Sequence, residues 1–296
     1  MTAHVQSLSP EQPATEPTTL LRLQPNGIGA PLICLPGAGG SPLYLHTLAQ
    51  AMGSERPFYV MEALGLDGKT PPHTTVAAAA AYQIEQLQRQ LPELGSSTQP
   101  YYLAGHSFGG YVAYEMAQQL HKAGATIGGV IIFDTGAPTG EASPMEEVDL
   151  ILLYERLFLE EYGLAPTLTA DQLTPLTTEA RLLAFKASLE RGGVFPANSP
   201  LDPIRGIVTT AAADLRAGDY LPTDFAMLPI HLFVATAEDD GQPCCTETKQ
   251  KMIDGWSRFG AMTVHEVPGS HTTLMYQPHV AVLAAQLRAA IAARAS

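Results

Sequence analysis

The sequence predicts an α/β fold, a mostly parallel sheet with helices on both faces, from three observations. Short apolar runs with strand character recur at 20–23, 31–35, 57–61, 101–104, 130–133, 230–235 and 262–267. Helical periodicities near 43–52, 75–91, 111–123, 246–257 and 278–293 separate most of them, and parallel neighbours need such crossovers. The third observation is one connection far longer than a crossover requires: roughly ninety residues lie between Asp134 and Ile230, where about a dozen would suffice.

Taken in order, residues 1–19 carry Pro10, Pro13 and Pro17 among Ser, Thr, Glu and Gln, the composition of an extended linker attached to something upstream. Core sequence is expected over 20–140 and 221–296. The alanine run at 77–81 fits plain helix. After the strand at 101–104, Val112, Ala113, Met116, Ala117 and Leu120 keep helical spacing. Residues 141–220 form the insertion. There Ile204, Ile207, Val208, Ala211, Ala212 and Leu215 follow Asp202 as N-cap and Pro203 as first helical residue. An apolar helical insertion beside a reactive centre reads as a lid, and Tyr154, Phe158, Leu182 and Phe185 are its candidate chamber walls. Gly192, Gly193 and Gly218 are candidate hinges, although glycine also simply ends helices.

Composition narrows the function classes. The formal charge of −13 opposes binding to nucleic acid or an anionic membrane, and no Lys/Arg cluster offsets it. No apolar run is long enough to span a bilayer, and the N-terminus lacks the basic and apolar regions of a signal peptide. Three cysteines, Cys34 and the adjacent Cys244 and Cys245, make neither a disulfide framework nor a zinc site, which suits a reducing cytoplasm. No H-E-x-x-H pattern is present, so no metal is expected, and without G-x-G-x-x-G a dinucleotide site is not expected either.

Chemistry concentrates at Gly105-His106-Ser107-Phe108-Gly109, a G-x-S-x-G set between a strand and a helix. A serine hydroxyl needs a sharp turn and a nearby base to become a nucleophile, and glycines on either side let strand and helix approach closely. This is the layout of a nucleophile elbow, as in α/β-hydrolases. In that fold the base follows the last strand, and among nine histidines His271 has this place, after the turn Pro268-Gly269-Ser270. His106 adjoins the nucleophile but points away from it and is read as buried structure; His265 lies within a strand and His279 in the first turn of a helix. For the acid that orients the imidazole, Asp134 and the group Glu238, Asp239 and Asp240 each follow a strand, and both satisfy the need for rigid placement.

The segments 35–41 (Leu-Pro-Gly-Ala-Gly-Gly-Ser), 105–110 with 112–117, Phe133-Asp134-Thr135 and 268–271 together resemble the thioesterase domains that terminate nonribosomal peptide and polyketide synthases. The resemblance covers nearly everything after residue 20 except the lid. It implies an α/β-hydrolase fold and a Ser107, Asp134 and His271 triad, the acid coming from the earlier strand. It further implies an oxyanion hole from the Ala38 and Phe108 amides. The implied activity is release of an acyl, peptidyl or polyketide chain from the phosphopantetheine arm of an upstream carrier domain, by hydrolysis or macrocyclisation, with no bound cofactor. A free-standing editing thioesterase, a general esterase or lipase, and a non-catalytic binder of the same fold are the alternatives.

Overall fold

Alternate residues of the central strands sort to opposite faces. Ile33 and Leu35, Leu103, and Val130 and Ile132 enter one core, while Leu32 and Cys34, Ala104, and Ile131 and Phe133 enter another. A strand buried on both faces reads as an unbroken apolar run, which is why the sequence pattern was legible here. In the computed structural model, which describes residues 19–92, 94 and 100–292, seven strands form one sheet: β1 (Leu20–Gln24), β2 (Leu32–Leu35), β3 (Phe58–Met61), β4 (Tyr101–His106), β5 (Ile127–Phe133), β6 (Leu228–Ala235) and β7 (Gly260–Val267). Their order is β1-β3-β2-β4-β5-β6-β7, and only the β1–β3 pair is antiparallel.

Helices α2 (Val76–Gln90), α3 (Phe108–Lys122) and α8 (Thr246–Trp256) cover one face, and α1 (Leu45–Met52) and α9 (His279–Ala292) the other. Direction reverses at β2: the chain passes outward to β3 and then returns to β4 on the other side of β2. Such a switch point opens a crevice at the carboxyl ends of the flanking strands, here occupied by the glycine-rich loop after β2 and by Ser107 after β4. The expected linker over 1–18 lies outside the described residues. Thr19, assigned to it, is instead buried, and its carbonyl accepts the Glu62 amide at 2.7 Å.

Between β5 and β6 stand α4 (Glu147–Glu161), α5 (Ala170–Leu173), α6 (Thr178–Arg191) and α7 (Asp202–Arg216). They enclose a third apolar core that includes Ile151, Leu159, Leu182, Phe185, Leu189, Ile204 and Val208. Inside it the fully buried Glu155 carboxylate accepts the Thr167 and Leu168 amides and the Ser188 hydroxyl, so its lone pairs are satisfied without a cation. The insertion leaves and rejoins the core at one point, where the Gly140 amide donates to the Tyr220 carbonyl at 3.3 Å. Asp202 does not cap α7 as expected. It is the first helical residue after Leu201, and its carboxylate pairs with Lys69 at 3.1 Å. Gly192 and Gly193 end α6, the ordinary role of glycine at a helix terminus.

Candidate active site

β4 runs through His106, and Ser107 turns the chain with φ 53° and ψ −130° before α3 begins at Phe108, three residues earlier than its apolar spacing suggested. The flanking glycines are required by contact: a Cβ on Gly105 would strike the Gly109 carbonyl, and one on Gly109 would strike the Leu35 and Pro36 carbonyls. Asp134 follows β5 directly and likewise has a positive φ, 47°. Among the described residues only Asn198 joins these two as a non-glycine residue with positive φ, so strain concentrates at two strand ends facing one cleft. Thr135 braces both, its hydroxyl donating to the Ser107 and Phe133 carbonyls at 3.0 Å, while the buried Trp256 indole donates to the Thr135 carbonyl at 2.7 Å.

His271 stands on the loop after β7. Its Nδ1 lies 3.0 Å from Asp134 Oδ2 and 2.9 Å from the Asp134 carbonyl, both acceptors, so Nδ1 carries the proton and Nε2 keeps a free lone pair. The second Asp134 oxygen accepts the Ala235 amide at 2.8 Å. Burial alone would depress the imidazole pKa, but the Asp134 hydrogen bond and charge, with Asp239 adding, hold it above the ordinary value. Burial raises the Asp134 carboxyl in turn, but the His271 hydrogen bond and charge together with the Ala235 amide bring it below the ordinary value and keep it ionised.

Asp239, the rival acid, does not bond the imidazole. It accepts the Thr272 amide at 3.1 Å and hydroxyl at 2.8 Å, fastening the loop that carries His271. His106 Nε2 donates to the His271 carbonyl at 2.9 Å, and its Nδ1 accepts the Tyr44 hydroxyl at 3.0 Å. Burial pushes it down to about 3, so it stays neutral and structural.

Ser107 and His271 line two adjoining cavities, one of about 320 Å³ and one of about 220 Å³. No hydrogen bond joins Ser107 Oγ to the imidazole among the described residues, although both residues line both cavities. The larger cavity takes its apolar wall from one stripe of α4, namely Leu150, Leu153, Tyr154, Leu157 and Phe158. Leu182 and Phe185, also expected there, line neither cavity. They are buried in the insertion's own core, where Phe185 packs against Phe158, ring centroids 6.5 Å apart.

The glycine-rich loop lies directly over Ser107, since a Cβ on Gly37 would be 3.2 Å from Ser107 Cβ. Of the four amides from Gly37 to Gly40, three are engaged: Gly37 with the Tyr44 hydroxyl, Gly39 with Asp214, and Gly40 with the Gly37 carbonyl. The Ala38 amide has no partner among the described residues. Phe108 opens α3, so its amide is one of those a helix N-terminus leaves unpaired. Asp214 and Tyr44 escaped the sequence reading. The signal for Asp214 was a carboxylate three residues after Ala211 on the apolar stripe of α7, where an unexplained charge is costly.

Among the described residues no three metal-ligating side chains cluster, and no helix is long and apolar enough to cross a membrane. Comparison with known proteins gives a consistent picture. Indigoidine synthase of Dickeya dadantii (strain 3937) is 39% identical over 119 residues, 40% of this chain and 8% of that protein. A chondramide synthase of Chondromyces crocatus is 26% identical over 293 residues, 96% of this chain and 7% of that protein. The chain therefore spans less than a tenth of these synthases.

Among solved structures, a four-domain nonribosomal peptide synthetase bound to AMP and glycine superposes with TM-score 0.78 at 22% identity, over 95% of this chain and 21% of that one. The Vlm2 thioesterase domain superposes with TM-score 0.67 at 23% identity, over 91% and 96% of the two chains. These likenesses establish the α/β-hydrolase fold. The family described as the thioesterase domain matches residues 30–289, nearly the whole of the described chain, and this protein belongs to it.

Proposed function

We propose that this chain is a serine thioesterase that releases an acyl, peptidyl or polyketide chain from the phosphopantetheine arm of an upstream carrier domain. The observation that carries the reading is the His271 and Asp134 pair on the wall of the cavity that Ser107 enters. His271 Nε2 takes the Ser107 proton as Oγ attacks the thioester carbonyl; the resulting oxyanion is received by the Ala38 and Phe108 amides. Collapse breaks the carbon–sulfur bond, the thiolate leaves with the proton from His271, and the chain remains esterified to Ser107. Water, or a hydroxyl or amine within the chain, then attacks under the same base and frees the serine. Asp134 stays ionised throughout, holding the tautomer and balancing the imidazolium.

Residues 141–220 act as the lid, with Tyr154 and Phe158 in the chamber wall. The size and apolar lining of the larger cavity favour an extended chain over the small acyl groups of an editing enzyme, and the synthase relatives support a carrier domain as partner. Free cysteines at 34, 244 and 245 suit a cytoplasmic setting. Synthetic pantetheine thioesters that differ in chain length and in an internal nucleophile test the reading. Free acid or ring should form faster from long chains than from acetyl, and oxygen esters should lag behind. Preference for acetyl would favour the editing role, and preference for oxygen esters would make the chain a general esterase.

A further inference from the structure

The insertion grips the glycine-rich loop at a single peptide link. The Ala38 carbonyl accepts the Tyr154 hydroxyl at 2.5 Å, and the N–H of the same link, that of Gly39, donates to Asp214 Oδ2 at 2.9 Å. Tyr154 comes from α4 and Asp214 from α7, 116 and 175 residues away in sequence. Neither side chain is used in the acyl-transfer steps. Yet Asp214 is 8% exposed, no Lys or Arg pairs with it among the described residues, and burial raises its pKa to about 7. An apolar residue would pack there without that cost, so the carboxyl is held for its bond to the loop. Gly39 complements the grip, since a Cβ at that position would lie 2.6 Å from the Tyr154 hydroxyl.

We propose that Asp214 and Tyr154 are positioning residues that clamp the Ala38–Gly39 peptide from both sides and thereby aim the Ala38 amide at the oxyanion. The inference rests on the thioesterase reading above. A peptide unit is planar, so fixing its carbonyl and its N–H fixes the plane, and with it the Cα to which the free Ala38 amide is attached. Tyr44 and the Gly37 carbonyl hold the rest of the loop from the core side. Only the insertion supplies the two clamp atoms. A seated insertion therefore gives a formed oxyanion hole, and a displaced one leaves the Ala38 amide free to turn, so an open site that admits water has little power to hydrolyse the chain.

The test compares wild type with Asp214→Ala, Asp214→Asn and Tyr154→Phe, using a long-chain acyl thioester, an alkyl boronic acid that becomes tetrahedral on Ser107, and the matching thioether, which binds without reacting. Asp214→Ala should lower kcat about tenfold to a hundredfold, less than outright loss of an oxyanion donor. Boronate affinity should fall by the same factor, while KM and thioether affinity move less than about threefold. Asn keeps an acceptor oxygen of the same reach for the Gly39 amide, so Asp214→Asn should recover most of the rate.

Tyr154→Phe, which keeps the ring, should show the same split between boronate and thioether and serves if the alanine variant fails to fold. Parallel loss of boronate and thioether binding would make the role structural and overturn the clamp. So would wild-type kcat in Asp214→Ala and Tyr154→Phe. If wild type itself forms no boronate adduct at Ser107, the thioesterase reading falls and takes the clamp with it.

Discussion

The strand-end wall of the cavity and the helical wall opposite are held by different forces. Ser107 and Asp134 sit at the ends of β4 and β5, whose register runs unbroken from the Tyr102 and Gly129 pair to the His106 and Phe133 pair, and the backbone ladder fixes both side chains. The helical wall hangs on its own apolar core around Phe185 and meets the glycine-rich loop through Tyr154 and Asp214. On the proposed function, groups that must hold their geometry through bond making are thus carried by the sheet, and groups that enclose the chain by a unit with a separate core. Perturbing the strand wall should therefore change rate, and perturbing the core of the helical wall should change stability or selectivity, with rate effects from that side confined to its Tyr154 and Asp214 link to the loop.

The largest effect belongs to the strand wall. Asp134→Asn should lower kcat by roughly 10⁴, since the amide favours the wrong imidazole tautomer, with little change in melting temperature. It should also move the acid limb of kcat/KM to lower pH. His271 must be neutral to act as base, activity is lost as pH falls through its pKa, and removing the Asp134 charge removes what raises that pKa. An unchanged limb would separate Asp134 from the imidazole.

Next comes the helical wall. Phe185→Ala should cost about 3–5 kcal/mol of the insertion's stability, seen as faster amide exchange in α4 to α7 while the sheet stays protected. Uniform loss of protection would show that the two walls unfold together and erase the contrast. The smallest effect is expected from Asp239→Asn, which keeps an acceptor for Thr272 and should slow turnover only a few-fold. A loss as large as that of Asp134→Asn would reassign the acid.

The strand wall was largely legible in the sequence because steric necessity writes it in residue types. Glycine at 105 and 109 answers to backbone carbonyls that any Cβ would hit, and the apolar runs answer to burial on both faces. The acid was ambiguous because Asp134 and Asp239 both follow strands, and only the fold distinguishes the one that bonds the imidazole from the one that fastens its loop.

The helical wall was hard to read because an apolar stripe does not say what it faces. α4 has two such stripes: Leu150, Leu153, Tyr154, Leu157 and Phe158 toward the cavity, and Ile151 and Leu159, with buried Glu155, toward the insertion's core. Leu182 and Phe185 belong with the second, and sequence spacing carries no mark of that difference. Asp214 meets its partner across 175 residues, with no local pattern to announce it.

The most direct test of the account is intact-protein and peptide mass spectrometry after a brief pulse of a long-chain acyl thioester. The account predicts a mass increase equal to the acyl group, mapped to Ser107, absent from Ser107→Ala and persisting longer in Asp134→Asn than in wild type. Turnover of the thioester by a folded Ser107→Ala variant, or an acyl group mapped to any other residue, would contradict it.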